Sequence, residues 1–270
     1  MQILMFINKV YLSEVEDVCL SVSIGLEMSA EDYFERGSEH LDQGHHQKAI
    51  DEFKKALKVD QNHTMAWYNM GIAYGEVGEH AAALVCYRKT VKIAPEFAWA
   101  WTNLGETYRR LSDYKNAIKY HKKAVKLDPE FEDAWYNLGG TYGELGNHEK
   151  AVECFKKVVE IDPGDIDAWY NLGVAYGQLD EHKKAIECFK KIVEIDSQAA
   201  TAWVCIGLAY SELGEHQKAI LNFKKAVKID PEFAEAWSNL AVAYKKLDDN
   251  KKADECLKKA IKLNPELAIK

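Results

Sequence analysis

From Ala30 onward, large apolar residues recur at spacings of three and four, pause over a few polar residues, resume, and stop at a proline. The stretch AWYNLGGTYGELG, Ala134 to Gly146, returns 34 residues later as AWYNLGVAYGQLD, Ala168 to Asp180. Trp67, Trp101, Trp135, Trp169, Trp203 and Trp237 share that spacing, and one step further back stands Tyr33. Seven periods therefore span residues 30–63, 64–97, 98–131, 132–165, 166–199, 200–233 and 234–267.

With each period counted from its first residue, slot 4 is the tryptophan. Slot 7 holds Met70, Leu104, Leu138, Leu172, Ile206 and Leu240. Slot 8 holds Gly37, Gly71, Gly105, Gly139, Gly173, Gly207 and then Ala241. Slot 11 is tyrosine from Tyr74 to Tyr244. The spacing i, i+3, i+4, i+7 is one face of an α-helix, helix A. At slot 15, Gly44, Gly78, Gly146 and Gly214 can take the left-handed conformation that ends a helix, and Ser112, Asp180 and Asp248 hold the same slot elsewhere. A second apolar run follows, helix B. Alanine recurs at its slot 20, and slot 24 is aromatic in Phe53, Tyr87, Phe155, Phe189 and Phe223. Pro95, Pro129, Pro163, Pro231 and Pro265 stop it at slot 32.

The pattern W-x2-L-G-x2-Y with alanine, phenylalanine and proline at these offsets resembles the tetratricopeptide repeat over about nine-tenths of the chain. The resemblance implies an all-α fold, a right-handed superhelical solenoid of antiparallel helix pairs whose A helices line a concave groove. Departures are local: Arg36 and His40 in the first period, His121 at slot 24 of the third, Ser197 for proline, and Ala241 and Leu257 in the last. Each period is too small to bury its own apolar face, so neighbours must stabilise it.

At about 100° per residue, slot 6 lies about 200° from the tryptophan, with slots 2, 9 and 13 on the same far side. Slot 6 holds Asn69, Asn103, Asn137, Asn171 and Asn239, interrupted by Glu35 and Cys205. Asparagine is a poor helix former, but an exposed amide donates and accepts at once, which suits the backbone of an extended peptide. We expect these asparagines to bind peptide, with Tyr68, Tyr136 and Tyr170 of slot 5 beside them. Slots 2, 6, 9 and 13 carry many acids, Asp133, Asp167, Glu212 and Glu235 among them, against Arg110 and Lys246. A ligand with Lys or Arg is favoured. Arg109 and Arg110 form a local exception where one acid or phosphate of a partner could dock. Family members that clamp the acidic tails of heat-shock chaperones use lysine at slots 2 and 5. None stands in slots 2, 5 or 6 here, so such tails are not the expected ligand.

His46, His80, His148, His182 and His216 share slot 17, and Cys86, Cys154, Cys188 and Cys256 share slot 23. Equivalent slots of packed neighbouring repeats lie on the order of 10 Å apart, too far for one metal ion or for a disulfide. These are expected to be capping and packing residues, and all six cysteines reduced thiols. Paired lysines at slots 25 and 26 mark a solvated outer face. No phosphate loop, nucleophile elbow, zinc-protease or dinucleotide fingerprint occurs, so we expect no catalysis and no cofactor.

The net charge of -8 argues against a nucleic-acid partner. No apolar run approaches the roughly 20 residues that span a bilayer, and the start lacks a secretory pattern, so a cytoplasmic protein is expected. In the extension 1–29, Ile7, Tyr11, Val15, Val18 and Val22 fit one helical face that could cap the first repeat, and Ser29 suits a helix N-cap. Residues 268–270 begin a further, truncated period. The array is then either part of a longer one or able to self-associate through its last B helix. The leading expectation is a non-enzymatic scaffold that binds a peptide or partner protein. The alternatives are a substrate-recruiting arm of a larger enzyme and a self-assembling structural protein.

Overall fold

The computed structural model describes residues 28–269, and the expected cap over Ile7 to Val22 lies outside them. The A helices are α1 (Ala30–Asp42), α3 (Thr64–Glu76), α5 (Ala98–Arg110), α7 (Glu132–Glu144), α9 (Ile166–Gln178), α11 (Ala200–Glu212) and α13 (Ala234–Lys245). The B helices are α2 (His46–Val59), α4 (His80–Ile93), α6 (Tyr114–Leu127), α8 (His148–Ile161), α10 (His182–Ile195), α12 (His216–Ile229) and α14 (Asn250–Leu263). A short 3-10 turn, Pro265–Ile269, packs on α14. No strand occurs among the described residues.

The described residues fall into two compact units divided after Pro95. Within each, every A helix packs on its own B helix, and that B helix packs on the next A helix. The all-α solenoid of helix pairs is thus built by local contacts between consecutive elements.

The helix ends lie where the slots place them. The slot 15 residues all have positive φ: 72° to 79° at Gly44, Gly78, Gly146 and Gly214, and 59°, 56° and 59° at Ser112, Asp180 and Asp248. The reversal lets the next N–H donate back to the slot 11 carbonyl, as Glu79 does to Tyr74 and Glu181 to Tyr176, each at 2.9 Å. Ser29 caps α1 as expected: its hydroxyl accepts from Asp32 N–H at 3.1 Å, and its own N–H donates to the Asp32 carboxylate at 2.8 Å.

Helix A meets helix B where slot 8 glycine lies under the slot 24 ring. A Cβ on Gly37, Gly173 or Gly207 would fall 2.5, 2.6 and 2.5 Å from the rings of Phe53, Phe189 and Phe223. No side chain fits there, so glycine at slot 8 is a packing requirement. Alanine at slot 20 is fully buried in most repeats, and Leu104, Leu138, Leu172, Ile206 and Leu240 fill slot 7 with almost no exposure.

The tryptophan does more than pack. Its indole N–H donates to the slot 32 carbonyl of the preceding repeat, Trp67 to Gln61, Trp135 to Pro129 and Trp169 to Pro163 at 2.9 Å, and Trp237 to Pro231 at 3.0 Å. One side chain therefore closes the loop between repeats and fills the core beside it. In the first repeat Arg36 replaces the slot 7 aliphatic, and Glu52 takes the slot 23 position held by cysteine in four other repeats. Their ion pair of 3.6 Å, with Lys55 at 2.7 Å from the same carboxylate, accommodates the departure.

Candidate functional site

Slots 2, 5, 6, 9 and 13 project within an arc of about 100° on each A helix, away from the buried slots 4, 7, 8 and 11. In the unit after Pro95 this face is Trp99, Thr102, Asn103, Glu106 and Arg110 on α5, and Asp133, Tyr136, Asn137, Gly140 and Glu144 on α7. It continues as Asp167, Tyr170, Asn171, Val174 and Gln178 on α9, then Thr201, Val204, Cys205, Leu208 and Glu212 on α11. On α13 it is Glu235, Ser238, Asn239, Val242 and Lys246, the last at the helix C-cap.

Asn69, Asn103, Asn137, Asn171 and Asn239 all stand on this face, but half-buried where full exposure was expected. The neighbouring A helix flanks them. Asn171 Nδ2 donates to Tyr136 Oη of the preceding repeat at 2.8 Å, and Asn69 Nδ2 to Ser38 Oγ at 3.4 Å. Asn137 Nδ2 instead donates to its own helix, at the Asp133 carbonyl, 2.8 Å away. These amides are anchored through nitrogen, and what they offer a ligand is chiefly the carbonyl oxygen.

The slot 5 tyrosines need correction. Each slot 5 ring leans on the slot 24 ring of its own B helix: Tyr68 on Tyr87 at 6.0 Å, Tyr136 on Phe155 at 5.6 Å, Tyr170 on Phe189 at 6.0 Å. Tyr68 is only 8% exposed and belongs to the core, because slot 5 sits at the edge of the face nearest helix B. Tyr170, 38% exposed, still borders the open surface, and Tyr136 is half-buried. Burial raises the pKa of both these phenols, and the Asp167 carboxylate adds to the effect at Tyr136.

Arg109 and Arg110 do not stand ready for an external anion. Arg109 holds Glu106 through two contacts of 2.7 and 2.8 Å and reaches Glu144 of the next repeat, while Arg110 Nε meets Glu106 at 2.9 Å. Burial pushes the Glu106 carboxyl up, but the hydrogen bonds and charge of the two arginines outweigh it and hold it below the usual carboxylate range. The Arg109 guanidinium is raised, first by its hydrogen bond to Glu106. The cluster is an internal clasp between α5 and α7.

Slot 9 escaped a count made only of charges. It holds Val174, Leu208 and Val242, which are 38%, 43% and 55% exposed, and Gly140, where an added Cβ would meet nothing within 4 Å. Apolar residues at a slot facing away from the core were the available signal. Away from this face, His46, His80, His148, His182 and His216 each open a B helix. Among the described residues, no three His, Cys or acidic side chains come together to hold a metal ion. Cys86, Cys154 and Cys188 are buried free thiols, pushed up to about 12 by burial. No described helix is long and apolar enough to cross a membrane.

Stacked helix pairs with an open A-helix face define a helical-repeat scaffold. Tetratricopeptide repeat models match residues 65–97, 98–131 and 132–165, and a further repeat model of that kind matches 37–78. The chain belongs to the tetratricopeptide repeat family. A model for the C-terminal domain of cilia and flagella-associated protein 70 matches residues 159–269. Among solved structures, MamA is 32% identical with a TM-score of 0.57, over 62% of this chain and 98% of that one. YrrB, described as a TPR protein with an unusual peptide-binding site, is 25% identical with a TM-score of 0.60, over 68% of this chain and 95% of that one. The C-terminal part of a TPR repeat-containing protein from Cytophaga hutchinsonii shares the fold, with a TM-score of 0.76 at 20% identity over 86% of this chain and 95% of that one. The comparison with curated proteins found no match.

Proposed function

We propose that this chain is a non-enzymatic scaffold that holds an extended segment of a partner protein along its A-helix face. The observation that carries this reading is the anchoring of Asn137 and Asn171 through their amide nitrogens, which leaves the carbonyl oxygens for a ligand's backbone N–H groups. A half-buried, positioned acceptor loses less conformational freedom on binding than a free surface side chain. The likeness to YrrB supports the same reading. Asp133, Asp167, Glu212 and Glu235 are exposed on this face and favour Lys or Arg in the partner. We place the protein in the cytoplasm, where the buried thiols of Cys86, Cys154 and Cys188 would stay reduced.

The test is capture of partners from the native host by the wild type and by an Asn137→Ala/Asn171→Ala/Asn239→Ala variant, with circular dichroism to check the fold. A partner bound by the wild type and lost from the folded variant supports the groove. Equal retention by both proteins rejects it. Raising salt should weaken the complex, and salt-indifferent binding would remove the acidic rim from the account.

A further inference from the structure

Slot 9 divides the A-helix face of the unit after Pro95 into two parts. On α5 the slot is Glu106, tied to Arg109 and Arg110. On α9, α11 and α13 it is Val174, Leu208 and Val242, exposed in three successive repeats. Their Cβ atoms point away from the helix-pair interfaces, so packing does not require them to be apolar. Between these parts lies Gly140 of α7. Glycine is the poorest helix former after proline, and the slot 8 glycines are needed because a ring covers them. Gly140 has no such neighbour; the space above its Cα is open, between Tyr136 and Glu144 on the same face. An unneeded glycine in a helix interior is what close approach of another backbone requires.

We infer that an extended segment crosses this face with its backbone close over Gly140 and its apolar side chains seated on Val174, Leu208 and Val242. Its basic side chains reach Asp133, Asp167, Glu212 and Glu235. This deepens the groove reading above and rests on it. Charge complementarity favours this occupant: those four acids are exposed, whereas Glu106 and Glu144 are already matched by the arginine clasp, and Lys246 is the one unclasped base among the face residues named above. The repeat sets the ligand's own spacing. On this face α7 also touches α9 and α11 touches α13; helices in contact lie about 8–10 Å apart, and a polyproline II chain advances about 9 Å per three-residue turn. The partner segment therefore carries an apolar residue at every third position, with Lys or Arg between.

The probe is a phage-displayed library of random dodecapeptides, selected on the full 270-residue chain. Enriched sequences should show the three-residue apolar spacing together with Lys or Arg. A synthetic peptide of that sequence should bind Leu208→Asp and Gly140→Leu at least about tenfold more weakly than wild type. Gly140→Ala should weaken binding while raising the unfolding midpoint, because alanine is the better helix former, a pair of effects that damage to the fold cannot produce. Enriched peptides without that spacing, or acidic ones, would overturn the inference, as would a selection that enriches nothing. If such peptides bind the Leu208→Asp variant normally but are lost from the triple asparagine variant, the slot 9 ladder fails and the groove stands. If neither variant matters, both fail.

Discussion

In the fifth repeat Phe189 lies against Gly173, with Tyr170, Asn171 and Val174 on the open face above it. In the third repeat His121 takes the place of the phenylalanine, and the open face carries Asn103, Glu106 and Arg110. The close approach of helix A to helix B is alike in both. A Cβ on either slot 8 glycine would fall 2.6 Å from the Phe189 ring or 2.7 Å from the His121 ring, and both repeats end helix A on a left-handed non-glycine residue. The helix-pair frame thus tolerates a polar ring at its centre, while slot 9 on the open face changes from Val174 to Glu106. The packed side and the open side of the same helix thus carry different demands, although Glu106 and Arg109 act on the charge of His121 across the helix.

The largest expected difference between these repeats is at slot 24. Phe189 is 5% exposed, and Phe189→Ala should lower stability in urea denaturation by about 3–5 kcal/mol, the usual range for emptying a buried aromatic site. His121→Ala should cost less, because it also removes a buried ring whose two nitrogens have no hydrogen-bond partner. Equal losses would show that the unpartnered nitrogens do not matter.

Next comes pH. Burial lowers the His121 pKa from 6.5 to about 4, with Glu106 opposing the shift and Arg109 adding to it. The unfolded chain therefore binds more protons than the folded one between these values. The stability that depends on a neutral His121 is complete above about pH 6.5 and falls by about 3 kcal/mol as pH drops toward 4. Denaturation of wild type and His121→Phe across that window should give curves that keep a constant offset above about pH 6.5 and draw further apart as pH falls. Parallel curves would contradict the burial cost.

At neutral pH, His121→Phe restores the ring used in most repeats and should raise stability by about 1–3 kcal/mol, measured by the same denaturation. The smallest effect is at the loops. Ser112 and Asp180 hold φ of 59° and 56°, so Ser112→Gly or Asp180→Gly should stabilise either repeat by about 1 kcal/mol.

Those loops also show how much the sequence reveals. Slot 15 could be read as left-handed even at Ser112, Asp180 and Asp248, because four other periods place glycine there and the period fixes the register. Slot 8 glycine and slot 20 alanine were legible as close-approach positions for the same reason. What periodicity supplies is an angle on a residue's own helix. It does not supply the distance to the next one. Hence the tryptophan hydrogen bonds to slot 32 carbonyls, the Arg109 to Glu144 contact and the Asn171 to Tyr136 bond could not be foreseen, since each joins neighbouring repeats. Tyr68 was misplaced for a related reason: slot 5 faces outward by angle, yet the slot 24 ring of the partner helix extends far enough to cover it. The Val174, Leu208 and Val242 ladder was visible in the sequence and missed by attending to charge alone.

On the proposal above, a ligand binds the A-helix face while the frame behind it supplies the stability. Amide hydrogen exchange on the chain, free and saturated with a selected peptide, tests it most directly. Binding along the face should add protection on α7, α9, α11 and α13 and change α8, α10 and α12 little. Protection concentrated on the B helices, or absent from α9 and α11, would contradict it.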